Sequence, residues 1–185
     1  MHFTGSSFLP RDFRRAFTLL ELLVVIGIIT VLSAVVLGAA RHAAEMGRVA
    51  RAREELAALV IALENYRRVY GDYPQTDDAA QFLQSLIGKR GPAGDALQDP
   101  AWLDLGRFAT SGAGDSSADP LARLLDPWFR PYIYIYKVPL EGWTNPSYIL
   151  YSAGPDGIHT PAPVPGEAFD PSLPGNADNV DANGG

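Results

Sequence analysis

Arg14-Arg15-Ala16-Phe17-Thr18-Leu19-Leu20-Glu21-Leu22-Leu23-Val24-Val25-Ile26 opens an apolar run that continues to Ala40. From Leu19 to Ala40 the run is 22 residues. At about 1.5 Å per residue a helix of that length spans roughly 33 Å, enough for a bilayer core. Arg11, Arg14 and Arg15 flank it on the N-terminal side, which predicts that this end stays in the cytoplasm. Thr30 and Ser33 are tolerable inside it, because a hydroxyl can bond back to a carbonyl one turn earlier. A secretory signal peptide has a shorter apolar region followed by a small-residue cleavage site. A core helix of this composition exceeds what so small a domain can cover. A membrane span fits best, with one anomaly. Glu21 puts a carboxylate into the apolar run, at a cost on the order of 3 kcal/mol. No basic residue lies between it and Arg41, so its partner must come from another chain or from a new amino terminus. A glutamate that snorkels to the interface or stays protonated is the plainer alternative.

These residues resemble the cleavage and methylation motif of type IV prepilins and type II secretion pseudopilins. The resemblance implies cleavage between Ala16 and Phe17 by a prepilin peptidase and methylation of the Phe17 amine. It implies that Glu21, fifth in the mature chain, pairs with the Phe17 amine of a neighbouring subunit. Ala16 stands where the family usually has glycine.

The helical signal extends beyond the run. No proline occurs from Arg11 to Tyr73. Val49, Leu56, Leu59, Leu63, Tyr66 and Tyr70 make one apolar stripe, with most charges off it. Gly71 and Pro74 end it. The expected organisation is a leader at 1–16, a membrane and polymerisation segment at 17–40, an amphipathic half-helix at 41–70, and a globular domain at 71–185. Within that domain Asp77 to Ile87 reads as a short helix capped by Asp77 or Thr76. Gly88 to Asp119 reads as a loose connection, with an exposed loop from Ser111 to Ser117. Tyr132–Tyr136 and Ser147–Ser152 read as antiparallel strands joined through Pro139–Pro146, with one face on the Leu56–Tyr70 stripe. Gly154-Pro155-Asp156-Gly157 reads as a four-residue turn. The fold class is α+β: a long N-terminal helix on a small antiparallel sheet, with an acidic C-terminal loop.

Tyr70-Gly71-Asp72-Tyr73-Pro74, Asp126-Pro127-Trp128, Pro131-Tyr132 and Tyr148 to Gly157 resemble the major pseudopilin of type II secretion systems. That family is pilin-like, and its segment after the last strand folds around calcium. Calcium in this tail would take Asp156 and Asp178 as ligands, with Asp181 next; an Asp/Gly turn followed by an acidic, solvated tail is the alternative. Calcium takes six to eight oxygens, and Glu167, Asp170, Asn176, Asn179 and Asn183 add more to the tail. Ile158 to Ala177 inserts proline-rich sequence that the family lacks, and the chain ends without the family's aromatic residue.

The 185 residues hold 15 Lys+Arg and 21 Asp+Glu. From Gly71 onward there are 6 basic and 15 acidic residues, net −9. So acidic a domain repels phosphate backbones, which excludes nucleic acid as a partner. With no cysteine there is no disulfide framework, thiolate metal site or cysteine nucleophile. His2, His42 and His159 are scattered, and Asp77-Asp78 reads as a helix start. No catalytic pattern emerges.

The resemblance implies a single-pass protein of the bacterial inner membrane with a periplasmic C-terminal domain. Its partners would be copies of itself, other pseudopilins, the prepilin peptidase and an inner-membrane assembly platform. The implied role is a subunit of a type II secretion pseudopilus. A type IV pilin of an extracellular fibre and a non-polymerising, membrane-tethered ligand-binding domain are the alternatives.

Overall fold

The computed structural model describes residues 18–112, 115–136, 148–160, 172–173 and 175–182. Contacts divide the chain into two units, Met1–His42 and Ala43–Gly185. Helix α1 runs from Leu19 to Tyr70, 52 residues. It starts two residues after Phe17 because Thr18 is its cap. The Thr18 hydroxyl accepts the Glu21 amide at 3.1 Å, satisfying one of the free N–H groups of the first turn. In the first unit the large apolar side chains from Leu19 to Leu37 are 40–83% exposed. The Thr30 hydroxyl donates to the Ile26 carbonyl at 2.7 Å, so this polar group is satisfied within the helix.

In the second unit α1 buries Ala52, Glu55, Leu56, Leu59, Ala62, Leu63 and Tyr66. This is the expected stripe, with Val49 and Tyr70 half-buried at its ends. Gly71 stops the helix with φ +84°, a backbone region that costs glycine little. Helix α2, Ala79–Leu86, packs Phe82, Leu83 and Leu86 into the same core. Its cap is Asp78, not Asp77 or Thr76. The Asp78 carboxylate accepts the Ala80 and Gln81 amides, both at 2.9 Å. The Thr76 hydroxyl in turn accepts the Asp78 amide at 3.1 Å. Thr76 therefore supports the capping residue from outside the helix.

The segment 88–112 is more regular than its composition predicts. It contains a short 3₁₀ turn at Leu105–Arg107 and strand β1, Ala109–Thr110, paired antiparallel with β2, Leu124–Leu125. Strands β3, Ile133–Tyr136, and β4, Tyr148–Ser152, pair antiparallel in the register Ile133↔Tyr151 to Tyr136↔Tyr148. Their connection through Pro139–Pro146 lies outside the described residues. A third strand, β5, Val180–Asp181, pairs with the far edge of β4. β4 is thus central, and all five of its residues are buried. The turn after β4 closes over five residues, with the Gly157 amide donating to the Ala153 carbonyl at 3.2 Å.

Tyrosines dominate the packing of sheet on helices. The rings of Phe82 and Tyr134 stack at 4.3 Å, and Tyr73 meets Tyr148 edge-on at 4.8 Å. Three buried hydroxyls donate to acceptors supplied by other elements, as burial of a polar group favours. Tyr66 donates to the Arg90 carbonyl at 3.0 Å, Tyr134 to the Pro74 carbonyl at 2.9 Å, and Tyr132 to Glu55 at 2.7 Å. The Arg51 guanidinium holds the other Glu55 oxygen at 2.7 Å.

Burial disfavours the phenolate and pushes Tyr66, Tyr136 and Tyr151 up to about 12. For Tyr132, burial and then the bond to Glu55 raise the phenol further. The folded chain therefore holds protons that the unfolded chain releases above the ordinary tyrosine value near 10. The stabilisation is complete below pH 10 and is lost between about pH 10 and 12. Thermal melts of the protein from pH 8 to 12 should show a falling midpoint in that window. A flat profile would mean that the phenols are not buried as described.

Candidate functional site

Ala16 and Phe17 lie outside the described residues. Glu21 sits in the first turn of α1, third after its cap Thr18. A carboxylate there is favoured by the partial positive charge of the helix N-terminus. Its own backbone amide is already bound to Thr18. Among the described residues ion pairs join Arg48 to Glu45 at 3.3 Å and Arg51 to Glu55 at 2.7 Å, and none involves Glu21. The carboxylate thus stands in an exposed apolar segment with no countercharge from the described part of its own chain.

The second constellation surrounds Asp126, which is 1% exposed. Its Oδ1 accepts the amides of Trp128 and Arg130, both at 2.9 Å. Its Oδ2 accepts the Ser152 hydroxyl at 2.5 Å. One carboxylate therefore shapes the loop 126–130 and ties it to the end of β4. Two further contacts anchor that loop. The Trp128 indole donates to Glu45 on α1 at 2.7 Å, and the Arg130 guanidinium donates to the Gly154 carbonyl at 2.5 Å. Between them Phe129 adopts φ 63°. Asp126-Pro127-Trp128 is visible in the sequence as a motif. Its tie to Ser152, 26 residues on, is not, since neither residue type signals the other.

The third constellation is the tail. The Asp156 amide donates to Asp178 Oδ2 at 3.2 Å, and Asp156 Oδ1 accepts the Ile158 amide at 2.7 Å. Two of the three expected metal ligands therefore lie in touching turns. The close approach depends on Gly154, whose φ is +63° and where a Cβ would stand 2.2 Å from the Asp178 carbonyl oxygen. Asp181 lies three residues along the chain from Asp178, in β5 opposite Tyr151. Among the described residues no three His, Cys, Asp or Glu side chains converge as a metal-holding group. Glu167 and Asp170 lie outside them. Asp156 and Asp178 fit calcium in chemistry, and backbone carbonyls and water would have to complete its shell. Direct hydrogen bonds already lace the two turns, with the Asn176 side-chain oxygen accepting the Thr160 amide at 2.9 Å.

A membrane-length helix, a lone carboxylate at its head and a small antiparallel sheet on its second half define a pilin-like subunit. Residues 11–37 match the prokaryotic N-terminal methylation motif. The chain is 30% identical over 150 residues to the type II secretion system core protein G of Pseudomonas aeruginosa, covering 80% of this chain and 89% of the relative. No solved structure matches. The chain belongs to the family of type II secretion system core protein G, the major pseudopilin.

Asp126→Ala removes three acceptor bonds from buried donors, so it should destabilise the protein by about 3 kcal/mol. Urea unfolding checks this. A loss under 1 kcal/mol would show that the loop does not depend on Asp126.

Proposed function

We propose that this chain is a structural subunit of a type II secretion pseudopilus, made as a precursor and polymerised through its N-terminal helix. The observation that carries the proposal is Glu21, a carboxylate placed within the methylation motif, on an exposed apolar helix, and without a countercharge among the described residues. A prepilin peptidase cuts between Ala16 and Phe17, and Phe17 becomes the new amino terminus. The Phe17 amine of one subunit then pairs with Glu21 of its neighbour. This pairing removes the cost of the buried charge only in the assembled state, so it favours polymer over monomer. Before assembly the helix spans the bacterial inner membrane, with residues 71–185 on the periplasmic side. The assembly platform and other pseudopilins are its further partners. The role is structural: the chain supplies surfaces, and no catalytic step is assigned to it.

Calcium belongs to the same proposal. Asp156 and Asp178 are the carboxylates that would hold it, and Asp181 is placed further along the same tail. When bound it would supply a cross-link between the 154–157 turn and the segment 175–178.

Two experiments separate these parts. Full-length chain expressed with a prepilin peptidase should give an intact mass for Phe17–Gly185 plus one methyl group. A product that still begins at Met1 would remove the processing step, and with it the filament. Calcium added to the chelator-treated protein should raise its melting temperature, and Asp178→Ala should abolish the rise. An unchanged melting temperature in the unsubstituted protein would leave the tail held by its own hydrogen bonds alone.

A further inference from the structure

The loop Asp126–Arg130 presents an aromatic ring in a strained conformation. Phe129 is the non-glycine residue with positive φ among the described residues, at 63°. A left-handed backbone costs a residue with a Cβ about 1–2 kcal/mol. Core packing does not repay that cost, since Phe129 is 77% exposed. Strain held in place by a built loop points to a use for the side chain, and this loop is built: Asp126 binds two of its amides.

Trp128 fixes where the loop lies. Its indole is bonded to Glu45, and Glu45 is five residues beyond Ala40, the end of the apolar run. Five residues reach at most about 17 Å fully extended, and as helix they rise about 7.5 Å. The polar layer on each side of the hydrocarbon is roughly 5–8 Å deep. The loop is therefore tied to the chain within five residues of the end of the apolar run. Met46, beside Glu45, is also 62% exposed. Arg48 and Arg51 are taken up by Glu45 and Glu55, and Arg41, next to the end of the run, is placed where a long basic side chain reaches lipid phosphates. Exposed apolar rings favour the headgroup–acyl boundary.

We propose that the Phe129 loop is a membrane foot. While the subunit waits in the bilayer, the Phe129 ring enters the headgroup–acyl boundary of a phospholipid leaflet, with Arg41 on a lipid phosphate. Withdrawal of this foot is then one of the contacts broken when a subunit leaves the membrane for the filament. The inference rests on the membrane-anchored reading of α1.

The chain has no cysteine, so a single introduced cysteine carries a unique spin label. Full-length protein, one chain per phosphatidylethanolamine–phosphatidylglycerol nanodisc, is labelled at Phe129→Cys, at Val31→Cys in the apolar run, or at Val69→Cys near the end of α1. The label at 129 should be shielded from a water-soluble nickel quencher and reached by oxygen, between the hydrocarbon value at 31 and the aqueous value at 69. If 129 matches 69 while 31 reads hydrocarbon, the foot is wrong and the anchor stands. If 31 also reads water, the anchor itself fails and the foot with it. Shielding that needs two chains per disc would put a second copy on the ring and overturn the proposal.

Phe129→Gly provides the second test, because glycine fits this backbone without strain. It should melt at the same temperature as the unsubstituted chain or higher, yet lose the quenching of tryptophan fluorescence by brominated phospholipid. A lower melting temperature would make the ring core packing and overturn the proposal.

Discussion

A run of exposed apolar side chains with a carboxylate at its head is the constraint on which the rest depends. The large apolar residues of Leu19–Leu37 are 40–83% exposed in the isolated chain. Such a surface is unstable in water, and lipid or other helices must cover it. Glu21 makes the two covers unequal. Lipid solvates the aliphatic residues but not the carboxylate, whereas a neighbouring subunit with a free amine can satisfy both. Membrane residence and polymerisation are thus two solutions to one problem, and the second is better for the charge.

The second half of α1 meets the opposite requirement. There the helix is a wall of the globular core, and its stripe from Ala52 to Leu63 shares one buried cluster with Phe82, Tyr134 and Leu150. A core this rich in tyrosine needs acceptors inside it, which accounts for a buried carboxylate on the helix. Glu55 takes the Tyr132 hydroxyl on one oxygen and Arg51 on the other. Asp126 does the equivalent for the backbone of the loop 126–130 and binds Ser152 of the central strand. Glu55 thus joins the helix to Tyr132 just before β3, and Asp126 joins the loop to Ser152 at the end of β4. Removing Glu55 leaves the buried Tyr132 hydroxyl without its acceptor, and removing Asp126 leaves the Ser152 hydroxyl without one.

Much of this was legible in the sequence, for identifiable reasons. The membrane run, the stripe and the stop at Gly71 are local patterns of hydrophobicity and backbone preference. The strands at 133–136 and 148–152 are aromatic and β-branched. Glu21 stands out in the sequence because a charge in an apolar run is improbable without a use. What escaped depends on distant partners. β5 has only Val180 and Asp181, too short for any periodicity, and exists because β4 offers it an edge. The helix cap moved to Asp78 because Thr76 is engaged by the backbone beside it. The regularity within 88–112 comes from backbone bonds such as Leu97 to Lys89 and Trp102 to Leu86, and from β1 meeting β2, partners that no local pattern announces. Phe129 carries no sequence signal for positive φ, since that conformation is imposed by Asp126 rather than preferred by phenylalanine.

The central claim is that Glu21 acts between subunits and not within one. Overproduction of the full chain together with the secretion assembly platform and a prepilin peptidase, followed by electron microscopy of sheared surface material, tests it most directly. The account predicts filaments for the unsubstituted chain. For Glu21→Ala it predicts none, with equal amounts of processed, membrane-resident protein in both cases. Filaments of equal number and length from Glu21→Ala would contradict it, since the carboxylate would then have no part in holding one subunit to the next.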